Sequence, residues 1–394
     1  MENSPIPVLH VITRLIVGGA QENTLYTAML LDKKRYAVDV LSGPQTGSEG
    51  SLIEEGRSKG VNISILPVLI RQINPLMDML ALWKMIFIFR KKEYPIVHTH
   101  SSKAGILGRL AAKLAGVPIV IHTVHGWSFH DAMPPLTRKV YILLEQICAR
   151  FTDALIIVTK GDREKGLLEG IGKPDQYHLI RSAIPLNEFN PQNYSRDQIR
   201  RDLGLPLDGP IVGTVGRFSA QKNPLEWVRV AEIIHREIPE CCFLMVGDGP
   251  LRSQVESALV QLGLKERVLL PGISRNIPQL MAAMDVFLLT SRWEGLPRVI
   301  PQAMSMQLPV VATGVDGSAE VVMSGVNGFV CPPGDIDGLA KHCVNLLRDE
   351  QLRQKISQAG TRTVVNTFDL SQMIEGIDDL YALLIKKYQL STGK

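Results

Sequence analysis

The chain has 394 residues, of which 45% are hydrophobic and 21% are charged. That length and composition are typical of a globular protein with about two domains, and they exclude a collagen-like or broadly disordered chain. The 43 basic residues exceed the 39 acidic residues by only four, so the charge balance does not indicate a nucleic-acid-binding protein.

Short apolar runs rich in β-branched residues alternate with helical patterns through the first half of the chain. The predicted strands are Ile6–Ile12, Tyr36–Leu41, Val61–Leu66, Ile96–Thr99, Ile119–Thr123 and Ala154–Val158. The predicted helices include Gln21–Leu31, Leu76–Lys91, Ala104–Ala115 and Leu136–Phe151. This alternation predicts a parallel sheet with helices on both faces.

Residues 181–209 break the alternation with prolines, asparagines and charges, and they predict a linker with room for one short helix. The second half resumes with predicted strands Ile211–Val215, Cys241–Val246, Val268–Leu270, Val286–Leu289, Val310–Ala312 and Gly328–Cys331. A long periodic segment, Leu370–Tyr388, follows without a further strand. It predicts a terminal helix that must bury its apolar stripe, and packing back across the two halves is one way to do so.

The loop after the strand Ile211–Val215 carries two cations, Arg217 and Lys222, between Gly216 and Pro224. An arginine offers a planar fork of donors and a lysine offers a compact charge, and both suit a diphosphate. The alternative is a solvated basic loop.

Two further turns follow predicted strands of the second half. Gly247-Asp248-Gly249-Pro250 would bring backbone to the crevice in which open α/β sheets bind ligands. Glu294 precedes Gly295-Leu296-Pro297-Arg298 and either stabilises the next helix N-terminus or accepts hydrogen bonds from a hydroxylated substrate. Gln302 either reaches the same crevice or lies on a solvated helix face.

In the first half, Gly18 and Gly19 lie between a predicted strand and a predicted helix. Glycine there lets backbone approach a ligand, and the helix N-terminus offers N–H groups to an anion. A tight turn without a ligand is the alternative. The spacing is not G-x-G-x-x-G, so a dinucleotide fingerprint is not predicted.

Five of the nine histidines lie within 33 residues, at positions His98, His100, His122, His125 and His130. No carboxylate or cysteine completes a familiar metal-ligand spacing with them, so no metal site is predicted. His125 follows the strand Ile119–Thr123 and is the candidate for a hydrogen bond to a sugar hydroxyl or for proton transfer. A structural histidine is the alternative.

The five cysteines include no CxxC pair, which favours a reducing cytosol. No apolar run approaches the roughly 20 residues of a membrane-spanning helix, and no signal peptide is expected. The stretch Leu76–Lys92 combines apolar and aromatic residues with a basic end, which suits either a core helix, the preferred interpretation, or a membrane interface. A helix that packs into the core while its basic end faces anionic headgroups would combine the two interpretations.

Together, the order and spacing of Gly216–Pro224, Gly247–Pro250 and Ser291–Val322 resemble a retaining glycosyltransferase of family 4, and the resemblance covers nearly the whole chain. It implies the GT-B fold, an α/β architecture of two Rossmann-like domains facing across a cleft, with a C-terminal helix crossing back. The implied domains are an acceptor-side domain over 1–185, a linker over 186–209 and a donor-binding domain over 210–368. Residues 369–394 would form the helix that packs back toward the first domain.

By position, Arg217 and Lys222 resemble the family's donor-diphosphate pair. Glu294 resembles the first acid of its E-x7-E motif, which contacts the donor sugar, and Gly295–Arg298 would meet the sugar and phosphates through backbone. The second acid of that motif is replaced here by Gln302, a departure, although glutamine can still donate and accept hydrogen bonds.

The same resemblance extends to the remaining candidates. Gly18, Gly19 and His125 match the first-domain glycine loop and the histidine near the reacting sugar. Gly216, Gly247 and Asp248 are expected at the donor. His125, Arg217, Lys222 and Glu294 are the expected catalytic residues.

The resemblance implies a hexosyltransferase-type enzyme that moves a sugar from a nucleotide-diphosphate sugar to a glycan or lipid-linked acceptor in surface polysaccharide or glycolipid synthesis. The nucleotide sugar is a co-substrate, and no cofactor, metal or nucleic acid is expected. The expected location is the cytoplasm, with peripheral contact at the inner face of the membrane. The alternatives are a sugar-nucleotide epimerase on the same fold and a non-catalytic sugar-nucleotide binder, whereas a nicotinamide dehydrogenase is disfavoured by the missing fingerprint.

Overall fold

A computed structural model describes residues 4–45, 50–130 and 133–390. The chain divides into two compact units, one formed by Met1–Ser182 with Leu370–Lys394 and the other by Ala183–Asp369. Each unit is built on one parallel sheet. The segment 186–209, expected to be a linker, belongs to the second unit.

The first unit contains a seven-stranded sheet. Its strands are β1 (Ile6–Ile12), β2 (Tyr36–Ser42), β3 (Asn62–Ile65), β4 (Ile96–His100), β5 (Ile119–Val124), β6 (Ala154–Ile157) and β7 (Tyr177–Leu179). They lie in the order β3-β2-β1-β4-β5-β6-β7. The six predicted strands end within one residue of these bounds. The edge strand β7 is not predicted, because three residues carry no sustained apolar pattern.

In the described residues before Ala183, α-helices accompany this sheet. They are α1 (Gly19–Leu30), α2 (Ile53–Ser58), α3 (Pro75–Lys92), α4 (Ser102–Ala115), α5 (Pro135–Ala149) and α6 (Lys160–Leu168). The start of α3 shows why a helix begins where it does. Asn74 caps it, because its Oδ1 accepts the Met77 N–H at 3.2 Å, and Pro75 occupies the first turn, where no N–H is needed.

Helix α3 has one buried face and one exposed apolar face. The side chains in the core are Ala81, Met85, Ile86 and Phe89, and the large exposed ones are Leu76, Met79, Leu80, Trp83 and Phe87. The preferred interpretation as a core helix is therefore correct for one face only. In the described part of the chain, no helix is both long enough and apolar enough to cross a membrane.

The second unit contains a six-stranded sheet. Its strands are β8 (Ile211–Val215), β9 (Cys242–Val246), β10 (Val268–Gly272), β11 (Val286–Leu289), β12 (Val310–Thr313) and β13 (Phe329–Cys331), in the order β10-β9-β8-β11-β12-β13. Its helices are α7 (Arg196–Asp202), α8 (Pro224–Glu237), α9 (Arg252–Gln261), α10 (Ile277–Ala282), α11 (Val299–Ser305), α12 (Asp316–Val321), α13 (Ile336–Arg348) and α14 (Glu350–Val365). The core includes Trp227 of α8, packed edge-on against Phe243 of β9.

Helix α7 lies in the segment expected to be a linker, and a buried arginine ties it to the sheet. The Arg200 guanidinium donates to the carbonyl of Ala283 at 3.0 Å and to the carboxylate of Asp285 at 2.8 Å. Asp285 in turn accepts the backbone N–H of Ile211, the first residue of β8, at 2.8 Å. These bonds integrate α7 into the second unit, although its sequence has no sustained apolar period.

The last helix, α15 (Leu370–Lys387), belongs to the first unit. Its buried residues are Met373, Ile377, Leu380, Tyr381 and Leu384, which follow the spacing i, i+4, i+7, i+8, i+11 and form one apolar stripe. The Tyr381 ring packs edge-on against Tyr36 of β2, with 5.6 Å between ring centroids. The terminal helix thus buries its stripe against the unit that begins the chain.

Candidate functional site

The candidate residues of the second unit lie where the strand order of its sheet reverses. β8 has β9 on one side and β11 on the other. Loops that follow β8 and β11 therefore leave the carboxyl ends of neighbouring strands in different directions, and open α/β sheets bind ligands in the crevice between such loops. The loop after β8 carries Arg217 and Lys222, and the loop after β11 carries Glu294.

Glycine lets the loops after β8 and β9 touch backbone to backbone. Gly247 has a φ of 136°, which disfavours any side chain, and a Cβ there would lie 1.9 Å from the carbonyl oxygen of Gly216. The Phe218 N–H donates to the carbonyl of Asp248 at 2.9 Å across the same contact. The contact therefore holds the cationic loop beside the end of β9.

Arg217 and Lys222 line one small cavity together with Gly216. A Cβ at Gly216 would lie 3.5 Å from Cγ of Lys222, so the lysine stem passes over the glycine. The cavity volume is about 20 Å³, which has room for about one water molecule. Both residues thus line one hollow, but it is too small to hold a diphosphate, and the assignment of the two cations to a diphosphate stays a prediction.

Lys222 and Glu294 form an ion pair. The Lys222 ammonium contacts Oε1 of Glu294, and the Ser291 hydroxyl donates to the same oxygen at 2.6 Å. The Glu294 side chain is 6% exposed and that of Lys222 is 20% exposed, so each charge depends on the other for compensation. The resemblance placed Lys222 on the diphosphate and Glu294 on the donor sugar, and the structure adds a direct bond between the two.

The Asp248 side chain is engaged in its own turn. Its Oδ1 accepts the Gly249 N–H at 2.6 Å, and its Oδ2 lies 3.4 Å from Nη1 of Arg252. These bonds hold the loop that follows β9. The expected contact of Asp248 with the donor stays a prediction.

The segment that follows Glu294 is anchored to the start of α12. The Glu294 N–H donates to Oδ2 of Asp316 at 2.9 Å, and the Gly317 N–H donates to the carbonyl of Gly295 at 3.1 Å. Asp316 has a φ of 40°, a left-handed conformation that few non-glycine residues adopt. Two neighbouring loops therefore hold Glu294 in place.

The candidates beyond Gly295 are buried. Leu296 and Pro297 are both shielded from solvent, and Arg298 donates its Nε–H to the carbonyl of Ala183 at 3.1 Å. Gln302 lies inside α11 and is 9% exposed. The alternative of a solvated helix face for Gln302 is therefore wrong.

Gly18 and Gly19 lie in the first unit, at the N-terminus of α1. The φ of Gly18 is 173°, which is extended backbone that any residue adopts, and a Cβ there would meet only the end of the flexible Gln21 side chain. The expectation that this turn needs glycine has no support from the conformation of Gly18.

His125 directly follows β5 and is bonded to a row of buried histidines. Its Nε2 lies 3.2 Å from Nδ1 of His100 on β4, and Nε2 of His100 lies 2.8 Å from Nδ1 of His10 on β1. Burial lowers the pKa of His10 to about 3 and that of His100 well below its usual value. Both rings are therefore neutral near pH 7.

Three of these histidines are close enough to share a metal ion. One ligand nitrogen each from His10, His98 and His100 lies within 4.8 Å of the others. All six ring nitrogens of the three already take part in hydrogen bonds, whose other partners are Thr123, His125 and Tyr381. A metal would have to displace those bonds, and the absence of a metal site stays a prediction.

Two family models match the chain. The Glycosyl transferase 4-like domain matches residues 18–182, and the Glycosyl transferases group 1 model matches residues 195–363. The chain is also 33% identical over 385 residues to the Escherichia coli UDP-Gal:alpha-D-GlcNAc-diphosphoundecaprenol alpha-1,3-galactosyltransferase, covering 96% of this chain and 97% of that one. The chain belongs to the family 4 glycosyltransferases.

This glycosyltransferase is similar to other relatives as well. The Staphylococcus aureus capsular polysaccharide biosynthesis glycosyltransferase CapM is 26% identical, over 82% of this chain and 85% of its own. A crystal structure of Anabaena HepE in complex with UDP-glucose matches with a TM-score of 0.82 at 22% identity, over 96% of this chain and 100% of that one. The predicted GT-B fold is confirmed, as is the prediction of a hexosyltransferase-type enzyme.

Sequence reasoning missed the residues that hold the side chains of the glycosyltransferase site. Ser291 lies three positions before Glu294, and this short spacing could have indicated their hydrogen bond. Gln221 donates its Nε2–H to the carbonyl of Trp293 at 3.1 Å, and Asp316 binds the Glu294 N–H. These last two contacts join loops from different strands, so no local pattern in the sequence indicates them.

Proposed function

We propose that this glycosyltransferase transfers a hexose from a UDP-sugar, with retention at the anomeric carbon, to a lipid-linked glycan in surface polysaccharide synthesis. The observation that carries the proposal is the 33% identity, over nearly the whole of both chains, to an enzyme named for UDP-Gal and for GlcNAc-diphosphoundecaprenol. UDP-galactose is therefore the first donor to test. The similarity to CapM supports a role in polysaccharide synthesis.

The donor diphosphate is assigned to Arg217 and Lys222. Both line one hollow where the strand order of the second sheet reverses. Negative charge grows on the diphosphate as the bond to the sugar breaks, so fixed cations stabilise the transition state more than the bound donor. That the reaction needs no metal ion stays a prediction, and it requires helix N-termini to add to these two cations, because Glu294 already compensates part of the Lys222 charge.

The hydroxyls of the donor sugar are assigned to Glu294. Lys222 and Ser291 both bind its Oε1, so we assign the sugar to Oε2. An ionised carboxylate accepts several hydrogen bonds at once. The ion pair would then link the group on the diphosphate to the group on the sugar and fix their spacing.

No protein nucleophile is assigned. The acceptor hydroxyl attacks the anomeric carbon from the side that the diphosphate leaves, the bond from that carbon to the diphosphate oxygen breaks, and the acceptor proton passes to a diphosphate oxygen. The product keeps the donor's anomeric configuration. His125 is assigned a hydrogen bond to the transferred sugar, which orients it for attack.

The experiment combines the full chain with UDP-galactose, UDP-glucose or UDP-N-acetylglucosamine and a synthetic lipid-diphosphate-linked GlcNAc, with and without a divalent ion. We expect a product from UDP-galactose that keeps the α configuration by NMR. A product with inverted configuration refutes retention. An epimerised sugar nucleotide with no transfer favours the epimerase, and a donor-induced rise in melting temperature without turnover on any acceptor favours the binder.

We further propose that the exposed apolar face of α3 rests on the membrane that holds the lipid-linked acceptor. Trp83 and Phe87 are each 65% exposed and lie one helical turn apart. The helix ends in Arg90, Lys91 and Lys92, which suit anionic headgroups. All five cysteines are free and buried, which supports the reducing, cytoplasmic side of the membrane.

Vesicle sedimentation tests this contact. The double variant Trp83→Ser/Phe87→Ser should bind anionic vesicles less than the parent does, because it loses the apolar anchor. Val260→Ser is the matched control, because Val260 on α9 of the second unit is 59% exposed. Equal binding by all three proteins refutes the membrane role of α3.

A further inference from the structure

A continuous row of six buried or half-buried polar side chains crosses the first unit. We call this row the histidine relay, and its members in order are His125, His100, His10, Tyr381, His98 and Thr123. The five successive donor–acceptor distances are 3.2, 2.8, 3.2, 2.7 and 2.7 Å. Every link is within hydrogen-bonding distance.

Four neighbouring elements build the histidine relay. β1, β4 and β5 lie side by side in the sheet, and the register pairs His10 with His98. Residues two apart on a strand share one face. His98 and His100 therefore lie on one face of β4, and His125 continues the face of β5 on which Thr123 lies. α15 supplies Tyr381. The C-terminal helix therefore contributes the one hydroxyl that joins the two halves of the row.

The relay is shielded from water except at His125. His10, His98 and Tyr381 are 0% exposed, and His100 is 1% exposed. Burial lowers the pKa values of the three histidines and raises that of Tyr381. The three rings are neutral and the phenol keeps its proton, so the inner members have one donor hydrogen each.

One hydrogen per member leaves only two consistent arrangements. If His125 donates from Nε2 to His100, then each following histidine also donates from Nε2, and Tyr381 donates to His98. If Thr123 donates to His98, all bonds reverse, and every histidine carries its hydrogen on Nδ1. A neutral histidine has one donor and one acceptor nitrogen, so a mixture of tautomers would break at least one link.

We propose that the histidine relay sets the tautomer and ring orientation of His125, with Tyr381 as the positioning residue that couples α15 to it. This inference rests on the proposed function, because it assumes that His125 meets the transferred sugar. The tautomer decides whether His125 presents a donor or an acceptor from Nδ1. The C-terminal helix therefore contributes to how the sugar is held, although Tyr381 itself touches no substrate.

The first test measures tautomers directly. The full chain labelled with ¹⁵N-histidine gives two-bond ¹H–¹⁵N spectra that distinguish Nδ1–H from Nε2–H rings. We expect His10, His98, His100 and His125 to share one tautomer, and single substitutions assign the signals. Opposite tautomers at His98 and His125 overturn the proposal, because a continuous row cannot contain both.

The second test breaks the row at its centre. Tyr381→Phe keeps the ring and removes the hydroxyl, so it should change the ¹⁵N shifts of His125. It should also lower kcat with little change in the KM of the donor. We expect a loss of about 10- to 100-fold, by analogy with the outer-shell partners that orient metal-bound histidines. Tyr388→Phe is the control. Tyr388 lies just beyond α15, and its hydroxyl binds Asp153 and takes no part in the histidine relay. Unchanged His125 shifts in folded Tyr381→Phe overturn the proposal.

Two further variants separate the possible failures. If Tyr381→Phe does not fold, Thr123→Val breaks the far end of the row with a side chain of similar shape. Where the first test finds Nδ1–H rings, Thr123 is the donor that starts the row, and unchanged His125 shifts in Thr123→Val then overturn the proposal equally. His125→Ala tests the proposed function instead. Full turnover by His125→Ala refutes the role of His125 at the sugar, whereas the tautomer measurements still decide whether the relay exists.

Discussion

Replacing Lys222 with methionine removes one charge and keeps most of the side-chain length. The change affects two things at once. It takes a cation away from the proposed diphosphate site. It also leaves the Glu294 carboxylate, which is 6% exposed, without its ion-pair partner, although the Ser291 hydroxyl still donates to it. A loss of donor binding in this variant alone therefore does not show which effect caused it.

The magnitudes of the two effects differ. A hydrogen bond to a charged group contributes roughly 1.5–3 kcal/mol, which is about 10- to 150-fold in the dissociation constant of UDP. Breaking a buried ion pair costs about 3–5 kcal/mol of folding stability. Because Lys222 is 20% exposed, water partly compensates the charge, and we expect the stability loss at or below the lower end of that range.

A double-mutant cycle with Glu294→Gln separates the two effects. We expect Lys222→Met to weaken UDP binding, measured by calorimetry, by the same factor in the parent and in the Glu294→Gln background. Because UDP lacks the sugar, the proposed contact between Glu294 and the donor sugar does not contribute to the measured affinity. Arg236→Met is the control, because that cation is 69% exposed on α8 and paired with Glu232.

The diphosphate assignment is refuted if Lys222→Met no longer weakens UDP binding in the Glu294→Gln background. Lys222 would then serve only to neutralise a buried carboxylate, since removing that charge would also remove the need for the lysine. Urea unfolding of the four proteins shows in parallel whether stability follows the ion pair.

Three further predictions concern other parts of the molecule. Gln302→Glu should preserve or raise turnover, and a large loss in a transfer assay would show that the glutamine has its own role. Glu145→Gln should lower the free energy of unfolding by about 3–5 kcal/mol, because it strands the fully buried Arg109 that it binds at 2.6 Å, whereas the exposed Glu54→Gln should not. Since burial lowers the pKa of His10 from 6.5 to about 3, the unfolded chain binds a proton first. Stability should therefore fall as the pH drops from 6.5 towards 3, by up to about 1.4 kcal/mol per pH unit for this residue. Equal urea midpoints at pH 7 and pH 5 would contradict this.

The local pattern of residues determined most of the secondary structure and the order of the donor-side motifs. Strands such as Ile6–Ile12 and Val286–Leu289 appear with their predicted bounds, because a buried parallel strand needs a short apolar run and shows it in the sequence. The same holds for loops at strand ends. Arg217, Lys222 and Glu294 could be placed at one edge of a sheet because carboxyl ends of parallel strands meet there.

Only the tertiary structure decided which of these groups bind one another. The ion pair of Lys222 with Glu294, the anchoring of Glu294 by Asp316 and the link of His10 to Tyr381 join residues 72, 22 and 371 positions apart. The tertiary structure also decided which face of α3 stays exposed, because the sequence shows apolar residues all round the helix. A hydrogen bond or a packed face depends on atoms brought within a few ångströms by strand order and helix docking, and sequence spacing alone carries no such distance.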